Sequence, residues 1–141
     1  MGNRETMLEV ILQAYTARGK GDLDGLVKAF HPEGVFTLVG DAKSLQVTGS
    51  VQGHTNLRET FGRFIATFQF VDRQVLSEVV EADRAAVHSR LTVRYEDKIR
   101  TTECLDLFKF QDGKIIELTE FADTALIKDL MSGASEPGGV A

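Results

Sequence analysis

The second half of the chain is a succession of strand-length segments with almost nothing between them: residues 70–80, 85–95, 98–110 and 114–121, joined by charged turns at Glu81 to Arg84 and at Glu96-Asp97 and by the glycine turn Gln111-Asp112-Gly113. Three segments of helical periodicity come before this meander. Helices gathered ahead of the strands cover one face of an antiparallel sheet and do not form βαβ crossovers. The expected fold class is therefore α+β, with a curved antiparallel sheet wrapped around N-terminal helices as a cone that encloses a cavity.

The first helix is read from Met7, Val10, Ile11, Ala14 and Tyr15, an apolar stripe at 3.6-residue spacing that ends near Arg18-Gly19. Asp22 is placed to cap a second helix, with Leu23, Leu26, Val27 and Phe30 inward and His31-Pro32 as its stop. A strand over 35–39 follows. Residues 40–53, polar and glycine-rich around a β-like piece at 45–51, suit a loop over a pocket mouth. Leu57, Phe61, Phe64, Ile65 and Phe68 make a third helix, and 124–131 a short closing one. With 141 residues, 43% hydrophobic, the chain fits one domain over 1–131, and SGASEPGGVA at 132–141 reads as a disordered tail.

Chemistry concentrates in 101–123, TTECLDLFKFQDGKIIELTEFAD. Alternation places Cys104, Asp106, Phe108 and Phe110 on one face of the first strand and Ile116, Leu118, Glu120 and Ala122 on one face of the second. A two-residue turn at Asp112-Gly113 would pair Gln111 with Lys114 and separate those faces. A three-residue loop pairs Phe110 with Lys114 and unites them, setting Asp106 opposite Leu118 and Cys104 opposite Glu120. The second is favoured, because a sheet with one buried face gathers its apolar residues on one side. Asp106 and Glu120 then share an apolar wall, where burial and a like-charged neighbour favour protonation. An acid so perturbed can exchange protons near neutral pH; the structural alternative is that it satisfies a buried hydroxyl or backbone group.

Other classes are excluded or unsupported. A net charge of -5 with no basic cluster argues against a nucleic-acid partner. The N-terminal segment interleaves charge with apolar residues and offers neither a membrane span nor a signal-peptide core, so no membrane partner is expected, and a single cysteine, which allows no intrachain disulfide, suits a cytoplasmic location. Cys104, the single cysteine, fits a small core residue. His31, His54 and His88 lack metal-ligand spacing, and neither a dinucleotide fingerprint nor a nucleophile elbow occurs, so no metal and no cofactor are expected. Alternation places His88 and Arg90 on the outer sheet face, with Arg90 across from Glu103.

The helix pair AYTARGKGDLDGLVKAFHPEGVF, the helix start VQGHTNLRETF and the close DLFKFQDGKIIELTEFADTALI resemble the SnoaL-like domains. These belong to the nuclear transport factor 2-like superfamily, which also holds ketosteroid isomerases and limonene epoxide hydrolases. The resemblance implies a cystatin-like α+β barrel over Met7 to Met131. It also implies that Glu120 stands where SnoaL-like cyclases and epoxide hydrolases carry an Asp. By the same resemblance Asp106 matches the protonated Asp of ketosteroid isomerases, and Tyr15 nearly matches its tyrosine partner. The isomerase base falls on Leu38, and the hydrolase Tyr and Asn on Phe36 and Leu38, so neither catalytic set is inherited whole. Arg90 aligns with a pocket arginine of epoxide hydrolases, but that residue's Asp partner is replaced by Thr92.

The expected function is acid–base chemistry by a cyclase, isomerase or hydrolase on a small, apolar, carbonyl-bearing molecule. Glu120 is the acid or base, Asp106 is held neutral, and Tyr15 helps to polarise the substrate oxygen. Phe36, Leu38, Cys104, Phe108 and Leu118 complete the candidate binding wall. The rival is a non-catalytic module on the same cone, for ligand binding or dimerisation. Leu105, Leu107, Ile115 and Phe121, assigned to the outer sheet face, suit a homodimer under either reading.

Overall fold

The computed structural model describes residues 3–133, so the expected tail lies, beyond its first two residues, outside the described part. The elements are α1 (Asn3–Lys20), α2 (Leu23–Lys28), β1 (Phe30–Leu38), β2 (Gly49–Gln52), α3 (His54–Thr67), β3 (Gln69–Glu81), β4 (Arg84–Tyr95), β5 (Lys98–Gln111), β6 (Lys114–Phe121) and α4 (Thr124–Met131). Six strands form one open sheet in the order β2-β1-β6-β5-β4-β3. The four-stranded meander is present as expected, and β1 joins it through a parallel pairing with β6.

The α1 stripe buries Met7, Ile11 and Ala14 against the sheet. Asp22 caps α2, accepting from the Gly25 amide. This helix is shorter than expected: Ala29 ends it, and His31-Pro32 lies inside β1. Tertiary pairing overrides local propensity here, because the Ile115 amide donates to Ala29 O at 3.0 Å and Phe30 pairs with Ile115. Pro32, which has no amide to give a ladder, falls where the register shifts between Phe30 and Val35. The short strand in the 40–53 segment is Gly49–Gln52, later than the expected piece at 45–51. Phe61 of α3 packs between Phe30 and Phe36, with ring centroids 5.3 and 5.1 Å away, and fixes that helix over the sheet.

The β5–β6 hairpin departs from the favoured register. Gln111 pairs with Lys114 across a two-residue turn, with Asp112 at φ 54° and Gly113 at φ 75°. Two successive left-handed residues give the turn whose twist matches that of the flanking strands, and glycine takes the second position without strain. The faces still coincide because a bulge corrects the phase: Phe110 pairs with Ile115 and Lys109 with Glu117, leaving Ile116 extra. Ile115 thereby enters the core, fully buried, and is not on the outer face. Asp106 faces Glu120, and Phe108 faces Leu118.

Candidate active site

Two cross-strand rows build the floor of a cavity between the sheet and α1, α3 and α4. One row runs Leu38, Glu120 and Asp106 across β1, β6 and β5, and the next runs Phe36, Leu118 and Phe108. Directly opposed residues point to the same face with Cβ atoms about 5 Å apart, so the bulge after Lys109 places the two acids side by side. The cavity measures about 120 Å³. Tyr15, Phe36, Leu38, Cys104, Asp106, Phe108, Leu118 and Glu120 all line it, and Leu126, Ile127 and Leu130 of α4 close one side.

Apart from Thr102 and Asp123, the walls are apolar except at one end. There the Tyr15 hydroxyl donates to Asp106 Oδ2 at 2.6 Å. Asp106 is 1% exposed, and its Oδ1 has no hydrogen-bond partner among the described residues. Glu120 lines the cavity and is partly buried; burial and then the neighbouring Asp106 push its carboxyl well above the usual range, against a smaller opposing pull from Arg73 and Arg18. Burial and then Asp106 likewise raise the Tyr15 hydroxyl, which stays a donor.

Two arginines complete this end, and neither was anticipated from the sequence as a pocket group. Arg73 Nη1 donates to buried Ser89 Oγ at 3.0 Å and approaches Asp106 Oδ2 at 3.7 Å, while the guanidinium stacks 3.6 Å over the Tyr15 ring. Arg18 Nη2 donates to the carbonyls of Phe64 and Phe68 at 3.2 and 2.7 Å, and its guanidinium stacks 3.7 Å over Phe70. Burial chiefly, with Arg73 adding to it and Glu120 opposing, lowers the Arg18 pKa to about 10. Arg18 was legible: with Ile11, Ala14 and Tyr15 it completes the i, i+3, i+4, i+7 stripe of α1. Arg73 was not. A bulge between Phe70 and Asp72 reverses the phase of β3, so strict alternation from Phe70 assigns Arg73 to the wrong face.

His88 and Arg90 are outside the cavity, on the outer sheet face, where both meet Glu103 at 2.7 and 3.8 Å. Cys104 Sγ and one oxygen each from Asp106 and Glu120 lie within 4.8 Å of one another, close enough to surround a cation. Their surroundings favour protons instead. Two guanidiniums face the same acids, and burial pushes the Cys104 thiol up as it does Glu120.

The SnoaL-like domain model matches residues 11–118. The chain belongs to the SnoaL-like domain family. Solved structures agree with the fold. A provisionally named isomerase from Bacillus subtilis superposes with a TM-score of 0.84 at 11% identity, covering 95% of this chain and 98% of that one. TerC, co-crystallised with polyporic acid, gives 0.77 at 18% identity, covering 91% and 99%. An LEH-like epoxide hydrolase from M. tuberculosis gives 0.73 at 14% identity, covering 92% of each chain. No curated protein matches significantly. At such identities the likeness shows the SnoaL-like fold, and the chemistry has to be argued from the cavity. No helix among the described residues is long and apolar enough to cross a membrane.

Proposed function

We propose that this SnoaL-like domain is a cofactor-independent acid–base enzyme, an isomerase, cyclase or hydrolase, acting on a small molecule with a ring-sized apolar body and a carbonyl or epoxide oxygen. The observation that carries the reading is the acid pair. Asp106 Oδ1 has no donor among the described residues, and Glu120, its cross-strand neighbour, is driven toward the protonated form. One proton held between the two carboxyls satisfies the orphan oxygen and removes the like-charge repulsion. The donors already facing Asp106, the Tyr15 hydroxyl and the Arg73 guanidinium, favour placing the charge on Asp106 and the proton on Glu120. This reading differs from the sequence-based expectation of a neutral Asp106. Tyr15 spends its hydrogen on Asp106, so it orients the acid and does not reach for substrate.

Glu120 then delivers its proton to the substrate oxygen while a water molecule takes the α-hydrogen of a carbonyl substrate, giving the enol, or adds to the ring carbon of an epoxide, giving the diol; the proton released to water restores Glu120. The anion left on Glu120 is met by Arg18 and Arg73, an arrangement that stabilises charge where it develops. Size supports a compact substrate: an apolar cavity of ~150 Å³ holds benzene, and this one measures about 120 Å³. Exchange of α-hydrogens for deuterium in cyclohexanone, followed by proton NMR alongside cyclohexene oxide opening, tests the reading. Wild type should accelerate one of these, and Glu120→Gln should abolish the acceleration; equal rates for both proteins would refute it.

A homodimer through the outer sheet face belongs to the same proposal. Val79, Leu105, Leu107 and Phe121 are 65, 38, 40 and 43% exposed. They lie on adjacent cross-strand rows, forming one patch.

A further inference from the structure

The charge balance at the polar end of the cavity leads beyond acid–base chemistry to the class of substrate. We infer that the cavity takes a single-ring organic anion, a carboxylate or enolate, with its charged oxygen held between Arg18 and Arg73. The inference rests on the reading of Glu120 as the protonated member of the acid pair.

Four side chains set the charge there, Arg18 from α1, Arg73 from β3, Asp106 from β5 and Glu120 from β6, while burial keeps the adjacent Tyr15 hydroxyl and Cys104 thiol neutral. With one proton shared by the acids, two guanidiniums face one negative charge. Asp123, the other acid on the cavity wall, is exposed, and its side chain caps α4 by accepting from the Leu126 amide. Its charge is screened by solvent. One positive charge is therefore left uncompensated against apolar walls, a costly arrangement unless a bound anion supplies the partner.

The geometry is suited to that partner. Both guanidiniums present a face to an aromatic ring, Arg18 to Phe70 and Arg73 to Tyr15, which leaves their in-plane N–H edges as the hydrogen-bonding surface. Arg18 commits only Nη2, to two carbonyls, and no hydrogen bond among the described residues occupies its Nε or Nη1. A planar fork of this kind matches a carboxylate with two parallel bonds. The apolar remainder of the cavity, with Phe36, Phe108 and Leu118, receives the ring.

Calorimetric titration of the full chain at low salt with benzoate, benzyl alcohol and benzylammonium tests the inference without any variant. Benzoate should bind at least about tenfold more tightly than benzyl alcohol, the minimum expected of a hydrogen-bonded charge pair, and benzylammonium should not bind. Arg18→Gln and Arg73→Gln should each erase the preference for benzoate while keeping affinity for benzyl alcohol. Equal or tighter binding of benzyl alcohol by wild type, or no binding of benzoate at millimolar concentration, would overturn the inference. Glu120→Gln separates the two proposals, because it removes the acid and keeps the charge balance. A benzoate preference that persists in this variant, with proton exchange also unaffected, would sink the acid–base reading alone. Exchange abolished by Glu120→Gln, with no benzoate preference in wild type, would sink the anion alone.

Discussion

Replacing Tyr15 with Phe removes one hydroxyl from the centre of the network and nothing else. The ring keeps its edge contact with Phe108, at 6.0 Å between centroids, and its stack beneath Arg73. What is lost is the 2.6 Å donation to Asp106 Oδ2, on a carboxyl that is 1% exposed and whose other oxygen meets, among the described residues, only the proton proposed on Glu120. A hydrogen bond to a charged acceptor contributes about 2 kcal/mol, and water cannot easily replace it at this depth. An unfolding entropy near 2.1 cal/mol/K per residue, over 141 residues, makes each kcal/mol worth about 3.4 °C. Tyr15→Phe should therefore lower Tm by about 7 °C at pH 7 in differential scanning calorimetry. A Tm within about 1.5 °C of wild type, less than a quarter of that shift, would refute the claim that Asp106 depends on this donor.

Glu120 offers a second test, through the pH dependence of stability. Its folded pKa lies above the unfolded value, so the native state binds the extra proton and stability falls as pH rises above about 4.5, continuing until the folded group ionises. Glu120→Gln should remove that decline, giving a flatter Tm profile and a variant more stable than wild type at alkaline pH; parallel profiles would contradict the assignment. On the outer face, Leu107→Arg should convert a dimer to a monomer in sedimentation velocity without lowering Tm by more than a few degrees, since Leu107 is 40% exposed. A wild-type protein that sediments as a monomer at high concentration would remove the dimer.

The fold was legible because its signals were repeated. Helical stripes ahead of a strand meander leave few arrangements, and alternation in β4 and β5 runs without interruption from one turn to the next. Apart from Arg18, whose face was readable from the α1 stripe, what was missed traces to backbone irregularities that side-chain patterns do not reveal. The Asp112-Gly113 dipeptide does signal a two-residue turn, but the bulge at Ile116 that reconciles this turn with a single buried face shows only in the pairing. The same applies to the bulge that turns Arg73 inward. His31-Pro32 looked like a helix stop because the parallel partner of β1 lies more than eighty residues away in sequence. At the site, the placement of Asp106, Glu120 and Tyr15 followed from periodicity. The charge balance did not, because it depends on two arginines whose neighbours are set by tertiary packing.

The central claim is that Asp106 and Glu120 hold one proton between them, with Glu120 as its carrier. Carbon-13 NMR of the side-chain carboxyls in glutamate-labelled protein reads this directly, with Glu120→Gln used to assign the resonance. Glu120 should keep the chemical shift of a protonated carboxyl through the pH range in which the surface glutamates ionise, because burial and the neighbouring Asp106 hold its carboxyl above the usual range. A Glu120 resonance that titrates with the surface glutamates would contradict the account.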